Sequence, residues 1–311
     1  MTIDRDTISK AAHRIAPFIR RTPVIDVRLG GVRQPVTLKL ELLQHSGSFK
    51  ARGAFNNLVG RDPAGPGVAA ASGGNHGAAV AFAAMTLGHK ARIFVPEISS
   101  PAKVARIASY GAEVVQKGAT YYDALALCEA HIAETGALSV HAYDTETTLQ
   151  GQGTLGRELE DQSPDLDTLL VAVGGGGFIG GIAAWYQSNI KIVGVEPATC
   201  NTLHAAFAAG KPVKVQPSGL ATDSLGASLV GSLMFPIAQS HIEHVVLVSD
   251  DAIRDAQRHL WRTTQLVSEP GGATALAALL SGTYRPEKDE RVGVVICGAN
   301  TTMEAFGKLF D

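Results

Sequence analysis

Short β-branched runs alternate with Ala-rich amphipathic stretches along the chain, a rhythm that predicts an α/β protein built on largely parallel sheet. Ile8, Ala12, Ile15 and Ile19 recur at helical spacing and predict an opening helix. Residues 36–41 alternate as a strand should. Val68-Ala69-Ala70-Ala71 then runs into Ser72-Gly73-Gly74-Asn75-His76-Gly77 and an Ala-rich helix ending near Gly88. Residues 91–95 read as a buried strand stopped by Pro96. A helix follows from about Pro101 to Gly111, then a strand over 112–115 and a helix over 121–135. The second half repeats the logic. Residues 169–173 form a strand that feeds Gly174-Gly175-Gly176-Gly177 and a helix through Ile182 and Trp185. Strands are expected at 190–195, 245–248 and 292–297. Ser249 caps a helix whose first turn carries Asp250 and Asp251, as the helix dipole favours. Turn-forming residues at 62–67 and a change of pattern near 148 divide the chain. They predict a large domain from 1–65 and 149–311, with 66–148 inserted as a small one.

Composition narrows the function. With 311 residues the chain can bury sizeable cores in two lobes. A formal net charge of −2 offers no basic field for nucleic acid, so a nucleic-acid partner is not expected. Gly, His, Lys or Asp interrupts every apolar run before it could span a bilayer, and Met1-Thr2-Ile3-Asp4-Arg5-Asp6 is too charged for a secretory signal. Cys128, Cys200 and Cys297 are odd in number and far apart, which suggests neither a disulfide framework nor a zinc cluster. A cytoplasmic protein is expected.

Three segments carry chemistry. Lys50 opens a helix after a strand, in Glu41-Leu42-Leu43-Gln44-His45-Ser46-Gly47-Ser48-Phe49-Lys50-Ala51-Arg52-Gly53-Ala54-Phe55-Asn56. The positive field of a helix start, together with burial behind Phe49, favours a neutral amine able to condense with an aldehyde. Gly174 to Gly177, closed by Phe178, exposes successive backbone N–H groups at a helix N-terminus, a geometry that suits an anion such as a phosphate. The same loop could serve a dinucleotide, with Glu196 as the one acidic strand end about twenty residues on. A non-enzymatic nucleotide-binding module is the competing class. Cys297-Gly298-Ala299-Asn300 closes the last strand, where open α/β sheets bind ligands.

The E-x-x-Q-x-x-G-S-F-K-x-R-G-A-x-N run of residues 41–56 resembles the lysine motif of fold-type II pyridoxal-phosphate enzymes, the tryptophan synthase β family. Within that group it is similar to the serine/threonine dehydratase and serine racemase branch. The resemblance implies two open, twisted, mostly parallel sheets flanked by helices, with pyridoxal 5′-phosphate as cofactor and Lys50 as the lysine joined to its aldehyde. By the same resemblance Gly174, Gly175, Gly176, Gly177 and Phe178 cradle the phosphate, and Phe49 lies beside the cofactor. Asn75 bonds the phenolic oxygen, and Ser72, Gly73, Gly74, Asn75 and His76 form the substrate-carboxylate loop. His76 taken alone is a histidine bonded to backbone.

Cys297 is implied to face the pyridine nitrogen. A thiol is a weak neutral partner there, which suits β-elimination better than transamination. Ser268-Glu269-Pro270-Gly271 is similar to a turn near the ring, which makes Glu269 a lining residue. Glu196 resembles the glutamate of a metal site found in some relatives, but Thr202 stands where an aspartate normally follows, and a hard cation wants several oxygen ligands. Similar racemases carry a serine at position 73 as a second acid/base. Gly73 cannot move a proton, which favours elimination. Residues 218–226 depart from the usual A-D-G pattern and point to an altered substrate preference. The implied activity is an ammonia-lyase converting L-threonine and/or L-serine to a 2-oxo acid and ammonia, in a homodimer. The alternatives are a serine racemase and a lyase for another hydroxy-amino acid of osmolyte catabolism.

Overall fold

The structure is a computed structural model that describes residues 3–30 and 32–311; Met1 and Thr2 of the charged N-terminal run lie outside the described residues. Ten strands are present among them: β1 (Val24–Val27), β2 (Val36–Lys39), β3 (Val68–Ala71), β4 (Ala91–Val95), β5 (Glu113–Gln116), β6 (Leu138–Ser139), β7 (Thr168–Ala172), β8 (Lys191–Pro197), β9 (His244–Val248) and β10 (Val292–Val295). They form a six-stranded sheet in the order β1-β2-β10-β7-β8-β9 and a four-stranded sheet in the order β5-β4-β3-β6. Every pairing is parallel except β1 against β2. Parallel neighbours demand crossover helices on the sheet faces, so the strands bury both sides and read as continuous apolar runs. Accordingly all of β7 and β10 is buried. The two-sheet α/β architecture expected from the sequence is present.

Element ends differ from the sequence expectation where local chemistry intervenes. The first helix is Arg5–Ile15, capped by Asp4, and Pro17 turns the next residues into a 3₁₀ segment before Ile19. The strand expected to reach Glu41 stops at Lys39, because Glu41 turns inward to a buried ion cluster. Arg52 binds Glu41 with two nitrogens at 2.6 and 3.0 Å and Glu158 at 3.0 Å, while Lys39 Nζ donates to Glu158 at 2.5 Å and to the Thr22 carbonyl at 2.7 Å. Lys39, Glu41 and Arg52 are fully buried.

This cluster ties the helix Lys50–Leu58 to the large sheet. The opposite face of that helix, Ala51, Ala54, Phe55 and Leu58, packs with Ile15 into the core of the small sheet. One short helix is thus gripped by both cores, and Lys50 is its first residue. No helix among the described residues is long and apolar enough to cross a membrane.

Candidate active site

The C-terminal ends of β2, β3, β7 and β10 converge on Lys50. After β2 the chain makes two 3₁₀ turns, and Ser46 and Gly47 take left-handed conformations with φ of 56° and 73°. A side chain on Gly47 would collide with Asn300 Oδ1, so only glycine fits. Ser48 then bridges Gly298, and the Phe49 N–H donates to the Cys297 carbonyl at 3.2 Å, which stitches the lysine segment to the end of β10.

Lys50 Nζ donates to the Ala142 carbonyl at 2.8 Å and sits 5.2 Å from the centre of the Phe49 ring. Phe49 stacks on Phe178 with centroids 3.9 Å apart, closing one side of the pocket. Burial disfavours the ammonium and pushes the Lys50 pKa down to about 8. Cys297 is buried, with Sγ 3.4 Å from the Gly271 carbonyl. Burial first, and the Glu269 carboxylate second, push its thiol pKa well up, so it stays protonated.

The loop after β3 leads into the helix Asn75–Leu87. The Ser72 hydroxyl accepts from the Gly74 N–H at 3.3 Å. Asn75 Nδ2 donates to Glu269 Oε1 at 2.6 Å, and Asn300 Nδ2 donates to Asn75 Oδ1 at 2.5 Å. Glu269 is buried at the start of the helix Pro270–Leu280, and burial raises its pKa to about 7. His76 Nε2 lies 2.7 Å from the Val140 carbonyl, and burial lowers its pKa to about 3. Its ring is therefore neutral and donates to that carbonyl. At Gly73 an added Cβ would run into Ser99 Oγ, from the loop after β4.

The glycine quartet joins β7 to the helix Gly177–Tyr186. A Cβ on Gly175 would come within 2.5 Å of the Tyr143 ring, and one on Gly177 within 2.5 Å of the Tyr143 carbonyl. Gly176 has φ +84°. Within the described residues no acceptor takes the N–H groups of Gly174, Gly175, Gly176 or Gly177; for Gly176 and Gly177 this follows from their place at the helix N-terminus, and Gly174 and Gly175 lie in the turn before it.

All the predicted residues but one lie in the segments that follow β2, β3, β7 and β10 and in the turn before the helix Pro270–Leu280. The exception is Glu196, at the end of β8. Its carboxyl group accepts from the backbone N–H groups of Leu203 at 2.8 Å and His204 at 2.9 Å, and the Thr202 hydroxyl oxygen lies 3.0 Å from Oε1. It is the anchor of the helix Thr202–Ala209, and its oxygens are occupied by protein donors. Among the described residues no group of three or more His, Cys, Asp or Glu could hold a metal ion.

The sequence reading missed the segment 141–144, which follows the two-residue strand β6. Ala142 receives Lys50, Tyr143 covers the quartet, and His141 Nδ1 accepts from the Asp144 N–H at 2.9 Å. Asp144 in turn accepts from the N–H groups of Ser232 at 3.0 Å and Leu233 at 2.9 Å. The one available signal was the dense polar and aromatic run His-Ala-Tyr-Asp-Thr after a strand-like Leu-Ser-Val. Two further contacts join the helices around the small sheet to the segment 222–228: Lys103 pairs with Asp223 at 2.8 Å, and the Tyr122 and Ser228 hydroxyls meet at 2.9 Å.

The chain matches the family of pyridoxal-phosphate dependent enzymes over residues 15–298 and belongs to it. It is 37% identical to the phenylserine dehydratase of Ralstonia pickettii over 316 aligned residues, which cover 98% of this chain and 95% of that one. Among solved structures it is similar to maize serine racemase, with a TM-score of 0.94 at 31% identity over 100% of this chain and 97% of that one. The threonine deaminase of T.th. follows at TM-score 0.90 and 34% identity, over 96% and 99% of the two chains.

The cofactor is pyridoxal phosphate, and the residues present fit it. Lys50 offers a deprotonatable amine, and the quartet offers four N–H groups without acceptors in a turn packed so closely against Tyr143, Leu225 and Met234 that no side chain fits at its positions. The dinucleotide reading of that loop falls with the family assignment.

Proposed function

We propose that the protein is a hydroxy-amino-acid ammonia-lyase acting on L-threonine and/or L-serine. The observation that carries the reading is the half-buried Lys50 amine, its pKa lowered to about 8, held by the Ala142 carbonyl beside the neutral Cys297 thiol and the bare anion cradle. In this reading Gly174, Gly175, Gly176 and Gly177 hold the phosphate, Phe49 and Phe178 wall the site, and Cys297 faces the ring nitrogen as an uncharged partner. Glu269 fixes Asn75 toward the ring, and Ser72, Gly73, Gly74, Asn75 and His76 shape the carboxylate-binding loop at a helix N-terminus.

Bound pyridoxal phosphate supplies an electron sink for the charge that develops at Cα when its proton leaves. Lys50 Nζ takes that proton, and a pKa near 8 leaves a useful fraction of free base at neutral pH. The Phe49–Phe178 stack excludes water from one side of the amine, while the Ala142 carbonyl holds Nζ in place. The β-hydroxyl then departs, and hydrolysis gives a 2-oxo acid and ammonia. The relatives named as phenylserine dehydratase and threonine deaminase support this chemistry. The test is 2-oxo acid and ammonia release across a panel of β-hydroxy-amino acids that includes phenylserine. Lys50→Ala is expected to lose activity by at least about a thousandfold with an unchanged far-UV spectrum, and a fully active variant refutes the reading.

One observation favours a second reading, amino-acid racemisation. Proton exchange on both faces of Cα needs a second acid/base. Gly73 cannot supply one, but Ser99 Oγ stands where a side chain of residue 73 would begin. Appearance of the D-enantiomer from L-serine, lost in Ser99→Ala while 2-oxo acid release persists, would establish it.

The proposal extends to a homodimer with 66–148 moving as a small lobe against 1–65 and 149–311, and to a cytoplasmic setting. The separate sheet formed by β3 to β6 supports the lobe division, and three buried free thiols suit a reducing compartment. Sedimentation analysis tests the dimer.

A further inference from the structure

The quartet is held from behind. The Gly174 carbonyl accepts from the Thr202 hydroxyl at 2.7 Å, the Gly175 carbonyl from the Gly231 N–H at 2.9 Å, and the Gly176 carbonyl from the Gly180 N–H at 2.8 Å. A trans peptide is planar, with its C=O and the following N–H on opposite sides. Pinning each carbonyl therefore aims the N–H of the next residue, Gly175, Gly176 and Gly177 in turn, away from the pin. Two of the pins are backbone groups and cannot be removed by substitution. The third is the Thr202 side chain.

Thr202 is well placed for the task. It is fully buried at the first position of the helix Thr202–Ala209, and its hydroxyl also faces Glu196 Oε1 at 3.0 Å. The Glu196 carboxylate is itself fixed by the N–H groups of Leu203 and His204, so the first turn of the helix, Glu196 at the end of β8 and the Gly174 peptide form one connected unit. The β8 end and this helix have no other part in the proposed chemistry. Backbone pairing joins β8 to β7 as far as Val173, whose N–H donates to the Val195 carbonyl at 3.0 Å, and the Thr202 hydroxyl is the side-chain contact that reaches the quartet itself.

We infer that Thr202 is a positioning residue for the phosphate cradle, setting the aim of the Gly175 N–H and hence the grip on the cofactor's phosphate. This rests on the reading of the quartet as the phosphate site. The experiment titrates full-length protein, stripped of cofactor with hydroxylamine, with pyridoxal phosphate and with pyridoxal, following quenching of intrinsic fluorescence. Thr202→Val keeps the shape and removes the hydroxyl, which leaves the half-buried Gly174 carbonyl without its donor. Its dissociation constant for pyridoxal phosphate should rise about tenfold, the effect of one buried hydrogen bond. Its affinity for pyridoxal, which lacks the phosphate, should not change, and Thr202→Ser should restore the parent value.

A Thr202→Val protein that binds pyridoxal phosphate as tightly as the parent overturns the inference. So does one that loses both ligands equally, since the effect would then be general. Should the valine variant fail to fold, Thr202→Ala against Thr202→Ser gives the same comparison. A parent protein that fails to distinguish the two ligands would instead overturn the phosphate-site reading itself.

Discussion

Half-buried Lys50 and buried Glu269 are ionisable groups that desolvation shifts toward their neutral forms, one by losing a proton and the other by keeping it. For Lys50 the reactive species is the free amine, whose fraction grows as pH rises through the pKa. In the cofactor-free protein its trapping by pyridoxal and borohydride should therefore climb to a plateau with a midpoint near pH 8. An unburied lysine would show its midpoint near 10.5. A midpoint above about 10 would place the amine in water instead.

For Glu269 the sign runs the other way. Its folded pKa of about 7 lies above the ordinary 4.5, so the folded state holds the proton more tightly than the unfolded chain does. The burial cost is absent below pH 4.5, grows through the window from 4.5 to 7, and is complete above it. Glu269→Gln keeps an oxygen for Asn75 and removes that cost. Denaturant melts should show the variant gaining on the parent between pH 5 and 8, by at most about 3 kcal/mol. No gain would mean that the carboxylate finds compensation on ionising.

At the scale of elements, the helix Lys50–Leu58 depends on Arg52. Its guanidinium neutralises Glu41 and contributes to neutralising Glu158, and all three groups lie in the interior or close to it. Arg52→Ala would strand Glu41 with an uncompensated buried charge and should cost about 3–5 kcal/mol in urea unfolding. A loss below 1 kcal/mol would show that the cluster is readily replaced by water.

The sequence announced this helix through its motif and announced most strands through β-branched runs. It did not announce the helix Glu146–Gln162, which contains Gly151, Gly153 and Gly156. Glycine opposes helix in isolation. Here Gly153 and Gly156 let the helix lie against Gly177–Tyr186, since a Cβ on Gly153 would meet the Gly181 carbonyl at 2.7 Å and one on Gly156 would meet Trp185 at 3.1 Å. Close tertiary approach overrode local propensity, and a single sequence carries no trace of the partner. The two-residue strand β6 and the antiparallel β1 were too short or too polar to register. The same limit hid residues of the site. Lys50, Asn75 and the quartet sit in compact motifs, whereas Tyr143, Ser99 and Thr202 reach it from distant segments by packing alone.

At the scale of the whole molecule, two sheets with separate cores meet over the pocket, and the helix gripped by both places Lys50 at their junction. The Lys103–Asp223 and Tyr122–Ser228 bridges are of a different kind from the buried Arg52–Glu41 cluster. The Lys103–Asp223 pair leaves the Asp223 side chain 83% exposed, and the Tyr122–Ser228 hydroxyl bond is exposed as well. Combining Asp223→Asn with Tyr122→Phe should change stability by less than about 1 kcal/mol, because exposed pairs contribute little. The same double variant should raise KM for the amino acid several-fold if these bonds hold the lobes over bound substrate, and an unchanged KM would show that they do not.

The exposed ion pair also makes the enzyme answerable to its medium. Mobile ions weaken attraction across water over a distance of about 8 Å at physiological ionic strength, while the interior Arg52–Glu41 pair is shielded from them. Added electrolyte should thus weaken the Lys103–Asp223 pair and spare the Arg52–Glu41 pair, so that, if the outer pair aids substrate capture, KM climbs in brine before the protein itself begins to melt.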